Sequence, residues 1–223
     1  MEWADWEPYY LQILEDFAFD REQDEEAARL LDRLLPKARA RPEDLSDRVS
    51  QQEVTVLGNG PNLPEELVHA RGVVIAADEA TSVALRHDIL PSVVVTDLDG
   101  RVEDQLEAHR RGALVVIHAH GDNMAALQRW TPSFGSRTVG TTQAEPFEGI
   151  HNWGGFTDGD RAVYLADHFG AKEIRTVGFD FERPSPKDQP TAVKLRKLAW
   201  ARRLLEDLGR RRPLTDPSSA SSG

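Results

Sequence analysis

The chain has 223 residues, 39% of them hydrophobic, and no cysteine. That is enough apolar material for the core of one large domain, and it excludes disulfides, thiolate catalysis and cysteine-ligated zinc. The 38 acidic residues outweigh 27 basic ones, for a net charge of -11, a balance that repels nucleic-acid phosphates and argues against nonspecific DNA or RNA binding.

The lysines are few (Lys37, Lys172, Lys187, Lys194 and Lys197). An acidic surface poor in lysine fits a salt-rich, halophilic cytoplasm, with an ordinary acidic enzyme as the alternative. No apolar run reaches the roughly 18 residues of a membrane helix. The start, Met1-Glu2-Trp3-Ala4-Asp5, lacks the basic residues of a signal peptide. The expectation is a cytoplasmic protein with no membrane or nucleic-acid partner.

Residues 1–48 contain no glycine and read as a helical segment, with Leu30, Leu31, Leu34 and Leu35 at helical spacing. Pro8, Pro36 and Pro42 mark expected boundaries. The aromatic residues Trp3, Trp6, Tyr9, Tyr10, Phe17 and Phe19 read as core; the alternative is a subunit interface, which makes a homodimer plausible. From residue 53 short apolar runs appear: Val54–Leu57, Val73–Ala76, Val93–Thr96, Leu114–His118 and Ile174–Gly178. Each has the texture of a strand buried on both faces. Helical periodicity fills the gaps near 64–70, 79–88, 101–111, 123–130 and 159–170, and a basic amphipathic helix spans about 190–208. The alternation predicts an α/β domain over 49–208, a mostly parallel, Rossmann-like sheet with helices on both faces. Residues 209–223 read as a disordered tail, ending in a Ser-rich run with nothing to pack.

In such a sheet ligands bind at the carboxyl ends of the strands, and the polar motifs follow the strands. Gly58-Asn59-Gly60-Pro61 follows the first. Its glycines would let backbone amides approach a phosphate, although no Walker lysine follows and a tight strand–helix turn explains it equally well. After the second strand, Asp78 either caps a helix or binds a ligand ring nitrogen or ribose hydroxyl; Asp78 and Thr81 are both assigned to ligand binding. After the third comes Thr96-Asp97-Leu98-Asp99-Gly100. Alternation along an extended chain puts Asp97 and Asp99 on one side, and two adjacent carboxylates at the end of a buried strand call for a cation such as Mg²⁺, the alternative being a helix cap plus a solvated Asp.

The fourth strand leads into His118-Ala119-His120-Gly121-Asp122-Asn123. The H-x-H-x-D spacing invites a zinc-hydrolase reading, but Asn123 stands where those enzymes usually carry histidine. Phosphate binding, ordering of a metal's waters or hydrogen bonding to a heterocycle fits better. In the long polar connection that follows, Asn152 and Thr157 are candidate base contacts, Trp153 or Phe156 stacking partners, and Asp158 or Asp160 helix caps. Asp180 after the fifth strand is a further candidate contact, and Lys187, Lys194 and Lys197 are set against either a triphosphate or a solvated helix face.

Together these segments, from Gly58-Asn59-Gly60-Pro61 through Asp97-Leu98-Asp99 and His118-Ala119-His120-Gly121-Asp122-Asn123 to Gly178-Phe179-Asp180, resemble the archaeal 6-hydroxymethyl-7,8-dihydropterin pyrophosphokinase family over roughly residues 50–205. The family is similar in fold to thiamine pyrophosphokinase. The resemblance implies Mg²⁺-dependent transfer of diphosphate from ATP to the pterin hydroxymethyl group with release of AMP, for tetrahydromethanopterin or folate-type carriers. On that basis Asp97, Asp99 and Asp122 are expected to hold the metal and carry catalysis. Gly58, Asn59, Gly60 and Pro61 would steady phosphates, and Asp78, Thr81, His118, His120, Asn123, Asn152, Thr157 and Asp180 would contact ligands. A D-x-D glycosyltransferase, a noncatalytic nucleotide-binding protein and a zinc hydrolase are the rival readings.

Overall fold

A computed structural model describes residues 1–185, 189 and 191–217. Lys187 and residues 218–223 of the expected tail lie outside the described residues. Three helices come first: α1 (Trp3–Phe17), α2 (Arg21–Leu34) and α3 (Pro42–Val49). The strands are β1 (Glu53–Leu57), β2 (Val73–Ala77), β3 (Val93–Thr96), β4 (Leu114–Ala119), β5 (Thr138–Thr142), β6 (Ile150–His151) and β7 (Glu173–Val177). Between and after them lie α4 (Leu63–Glu66), α5 (Ala80–Arg86), α6 (Val102–Arg110), α7 (Met124–Trp130), α8 (Asp158–His168) and α9 (Ala192–Gly209). No helix among the described residues is long and apolar enough to cross a membrane.

The strands form one parallel sheet in the order β6-β5-β4-β3-β2-β1-β7. Period-two alternation divides its side chains between two cores. Val54, Val56, Ile75, Val93, Val95, Leu114, Val116, Val139 and Ile174 face α1, α3, α8 and α9. On the other side Val94, Val115, Ile117 and Ala119 face α2, α6 and α7. Leu57, Val74, Ala76 and Val177 complete that side against α4 and α5. The expected α/β architecture is therefore present, with the N-terminal helices built into both of its outer layers.

Two strands lie where the sequence reads as loop. All five residues of β5 are buried, yet they are Thr-Val-Gly-Thr-Thr, without the apolar texture of the other strands. The Thr138 hydroxyl donates to the Gly135 carbonyl at 2.8 Å and the Thr141 hydroxyl to that of Ile117 at 3.2 Å. Gly140 has no room for a side chain: a Cβ there would sit 2.5 Å from Ile150 and 2.7 Å from Leu35. Strand β6 has only two residues, too short to give a periodic signal.

Pro8 lies inside α1 rather than at a boundary, while Pro42 occupies the first turn of α3 as expected. Trp6 and Tyr10 are fully buried, in keeping with the core reading of the aromatic cluster. Ala18, left-handed at φ 53°, ends α1, and the Asp20 side chain caps α2 by accepting the Glu22 amide. The tight turn between them carries Phe19. At the other end, Thr215 bridges to Arg175 of β7, accepting from Thr176 N–H and donating its own to the Ile174 carbonyl, each at 2.9 Å. The chain thus stays on the sheet past Gly209, where the sequence suggests a tail begins.

From β1 to β6 the chain steps outward strand by strand. Helix α8 then lies back across β3, β2 and β1 and delivers β7 to the far side of β1. The connections leaving β1 and β7 therefore diverge, which in an open parallel sheet opens a crevice at the carboxyl ends of those strands.

Candidate active site

The crevice is lined by the turns after β1, β2, β3, β4 and β7, by the first turn of α8, and by α9. Its floor is acidic. Asp78 follows β2 in a left-handed conformation, φ 45°, and is buried. Its Oδ1 accepts hydrogen bonds from the Thr96 hydroxyl at 3.1 Å and the Gln105 amide at 2.8 Å.

Asp97 follows β3. Leu98 then turns left-handed, φ 66°, with its amide on the Thr96 hydroxyl at 2.9 Å and its side chain buried. This break ends the extended alternation that was to place Asp97 and Asp99 side by side. Asp99 lies exposed at the rim of the cleft, its amide donating to Asp97 Oδ1 at 3.2 Å. Gly100 crosses directly over the Asp78 carboxylate, where a Cβ would collide with both oxygens.

The third acid comes from α8. Thr157 and Asp160 form a reciprocal capping box at its start, and Asp160 also accepts the Phe156 amide at 2.6 Å. That leaves Asp158 facing the cleft, paired with Arg161 at 2.7 Å. Carboxylate oxygens of Asp78, Asp97 and Asp158 lie within 4.8 Å of one another. Of the expected trio only Asp97 belongs to this group. Asp122 is exposed in the turn after β4 and borders a separate hollow with Gln23 and Asp24.

The acids are electrostatically unequal. Burial alone would raise Asp97. The hydrogen bond and charge of His120, the Arg161 guanidinium and the Asp99 amide outweigh it and hold Asp97 at about 2. Asp158 goes the other way: burial, then the charge of Asp97 and those of Asp78 and Asp99, push it well above the usual carboxylate range against the pull of Arg161. Three hard oxygen donors that repel one another in a partly buried cluster fit a divalent cation such as Mg²⁺.

The histidines divide. His120 lines the cleft, with Nε2 3.4 Å from Asp97 Oδ2, while Nδ1 accepts the Asp122 amide at 3.3 Å. In the neutral ring that acceptor role places the proton on Nε2, directed at Asp97. His118 is fully buried behind it, 3.1 Å from the Thr141 hydroxyl, and does not line the cleft. Burial drives its pKa well below the ordinary value. His118, His120 and Asp122 do not converge on a common point, which removes the geometric basis of the zinc reading.

Other expected contacts prove to be framework. The Asn123 amide ties the Asp97 and His118 carbonyls at 2.8 and 2.7 Å. Asn152 donates to the Gln143 and Ala144 carbonyls and accepts the Gly154 amide. Thr81 is buried on α5 away from the cleft. Thr157 does line the cleft, but its hydroxyl donates to Asp160.

The glycine loop after β1 is tied to β7 and the turn that follows it. Gly58 and Gly60 donate to the Val177 and Gly178 carbonyls at 2.8 Å each, and Pro61 has no N–H to give. Those two amides are not available to phosphate. The glycines are required because the β7 turn packs on them: a Cβ on either would sit 2.7 Å from the Gly178 oxygen. Asn59 lines the cleft and donates to the Ser185 hydroxyl at 3.0 Å. Asp180 also lines it, accepting from the Glu182 and Arg183 amides and the Arg183 guanidinium.

The cleft is also lined by aromatic and cationic side chains: Phe19, Phe156, Phe179 and Phe181, with Arg183, Lys194 and Lys197. The Lys197 ammonium lies 5.8 Å from the Phe19 ring centroid and 5.9 Å from that of Phe156. Sequence reasoning missed Asp158, Arg161 and Phe19 as site residues. A signal for the first two existed: once Thr157 and Asp160 are paired as a capping box, Asp158 and Arg161 remain as an unexplained pair one helical turn apart.

The sequence model of the family described as 6-hydroxymethylpterin diphosphokinase MptE-like matches residues 30–185, from α2 to the turn after β7. The chain belongs to this family. It is an enzyme of the diphosphokinase class. Curated relatives named 6-hydroxymethyl-7,8-dihydropterin pyrophosphokinase occur in Methanothermobacter thermautotrophicus, 44% identical over 94% of this chain and 96% of the relative, and in Pyrococcus furiosus, 44% identical over 92% and 94%. A third, from Methanocaldococcus jannaschii, is 34% identical over 93% and 96%. Each of the three matches covers more than nine tenths of this chain.

Proposed function

We propose that the protein transfers diphosphate from ATP to 6-hydroxymethyl-7,8-dihydropterin, releasing AMP, with Mg²⁺ held by Asp78, Asp97 and Asp158. The observation that carries this reading is the convergence of three carboxylates at the switch-point crevice in a chain whose relatives bear that enzyme's name. The acceptor hydroxyl attacks the β-phosphorus, an oxygen–phosphorus bond forms as the hydroxyl's O–H bond breaks with its proton released to solvent, and the bond from that phosphorus to the α,β-bridging oxygen breaks, so that AMP leaves. Mg²⁺, when bound, neutralises negative charge on the transferring group and orients it for in-line displacement.

The chain's own residues do the positioning. Thr96 and Gln105 fix Asp78, His120 and the Asp99 amide fix Asp97, and Arg161 fixes Asp158. With Nδ1 accepting the Asp122 amide and Nε2 directed at Asp97, His120 orients a carboxylate and does not act as the base. Lys194, Lys197 and Arg183, which line the same cleft, meet polyphosphate charge, and the phenylalanines offer flat apolar surface to a heterocycle. The reaction takes place in the cytoplasm and feeds a tetrahydromethanopterin or folate-type carrier.

Incubation with ATP, Mg²⁺ and 6-hydroxymethyl-7,8-dihydropterin should yield AMP in step with pterin diphosphate, and none in EDTA. Thiamine in place of the pterin should give no AMP. Formation of ADP, or turnover of a UDP-sugar without AMP, would replace this reading.

A further inference from the structure

Behind the β4 turn a second carboxylate is buried without belonging to the cleft. Asp24, in the first turn of α2, is 3% exposed. Its Oδ2 accepts the Tyr10 hydroxyl and the Gln143 side-chain amide, each at 2.8 Å, and its Oδ1 accepts the Gly121 backbone amide at 2.8 Å. A carboxylate carries its charge in such a place only when several donors meet it, and these three come from α1, from the turn after β5 and from the turn after β4. Gly121 directly follows His120, and it packs so closely on α2 that a Cβ would sit 2.9 Å from Gln23 Cβ. His120 in turn stands 3.4 Å from Asp97.

We infer that Asp24 is a positioning residue, through which the N-terminal helices hold the Gly121 amide and thereby aim His120 at Asp97. At Gly121, Gln23 meets the turn by close packing, whereas Asp24 holds a main-chain donor by a charge-assisted hydrogen bond. The inference rests on the proposed carboxylate site for a divalent cation. It makes the N-terminal segment part of the site's geometry rather than a cover for the sheet.

The test is Mn²⁺ binding to the full chain, followed by electron paramagnetic resonance without nucleotide, for wild type, Asp24→Asn, His120→Ala and the double variant. Asp24→Asn keeps the side chain's shape but presents one acceptor oxygen and an amide to three donors. It should weaken Mn²⁺ binding roughly tenfold, and its effect should largely disappear in the His120→Ala background, because contacts acting through one another are not additive. Tyr10→Phe, which removes a donor on the other oxygen, should lower the melting temperature and leave Mn²⁺ affinity unchanged. If Asp24→Asn does not fold, Gly121→Ala displaces the same turn by its contact with Gln23 and should weaken Mn²⁺ binding in the same way. Unchanged affinity in Asp24→Asn or Gly121→Ala, or an equal loss with and without His120, overturns the positioning role while leaving the carboxylate site standing. A wild-type chain that binds no Mn²⁺ overturns both.

Discussion

The two lips of the crevice are built on opposite principles. At the β1/β7 lip the polar groups satisfy each other: Gly58 and Gly60 amides meet carbonyls of the neighbouring turn, the Gly178 amide meets Glu66 at 2.8 Å, and the glycines are there because two backbones touch. The lip formed by β2, β3 and α8 gathers three mutually repelling carboxylates, and two non-glycine residues, Asp78 and Leu98, hold left-handed conformations there. The glycine backbone of the first lip is framework, its amides closed on neighbouring groups, while its side chains Asn59, Phe179, Asp180 and Phe181 face the cleft. The second stores repulsion and backbone strain, which persist only where the surroundings enforce them and which cluster at functional sites. A glycine-rich loop in a sequence is therefore ambiguous until its amides have been traced to their partners.

The largest effect should separate the acids. Asp97→Asn and Asp158→Asn are each expected to lower diphosphate transfer by about 10³-fold, because each removes a charge that meets the developing phosphate charge through the metal. Asp99→Asn, outside the trio, should cost less than about tenfold on the same scale. Steady-state AMP release measures all three, and an Asp99 effect equal to that of Asp97 would restore the adjacent-pair reading of the D-x-D motif.

Gly100→Ala comes next. Its methyl group would press on the Asp78 carboxylate, and a shift of about 1 Å in a positioned group can cost 10²-fold in rate. The loss should appear in kcat with the melting temperature little changed. Gly58→Ala should do the reverse. Its Cβ meets backbone oxygen at 2.7 Å, so about 1–3 kcal/mol of stability is lost to overpacking, read from chemical denaturation, while folded protein keeps most of its turnover. If Gly58→Ala abolished activity without loss of stability, the glycine lip would be a ligand surface after all.

The smallest effect concerns pH. His109, buried on α6, accepts the Gly135 amide at 2.9 Å, and burial, with Arg137 beside it, lowers its pKa. The unfolded chain therefore takes up this proton first. The stability His109 contributes is complete above its ordinary value of 6.5 and is lost as the pH falls through the lower folded value. Denaturation midpoints measured from pH 7.5 down to pH 5 should decline, and His109→Gln should flatten that decline.

Much of the fold was legible in the sequence because buried parallel strands leave runs of Val, Ile and Leu, as β1 to β4 do. Strand β5 was not, since its threonines hide their hydroxyls on local carbonyls and its glycine admits Ile150 and Leu35. Asp97 was legible as a strand-end acid. Its companions are not: the sequence presents Asp78 as a helix cap or a ligand contact and Asp158 or Asp160 as a helix cap, whereas Asp78 and Asp158 are the acids that meet Asp97. Their meeting depends on α8 running back over β3, β2 and β1, a matter of strand order that no local window contains. The extended reading of Asp97-Leu98-Asp99 failed at one residue, Leu98, whose side chain is drawn into the core on the α2, α6 and α7 side.

The return of α8 also bears on how the site comes into being. Strand β7 pairs with β1 across a long stretch of chain, Glu53 opposite Glu173, a contact of high sequence separation whose loop must close before it is rewarded. A nascent chain ordered only through β5 would hold Asp78 and Asp97 but not Asp158. Divalent affinity should thus emerge late in refolding, making the metal a reporter of the last long-range pairing rather than a nucleus for the first.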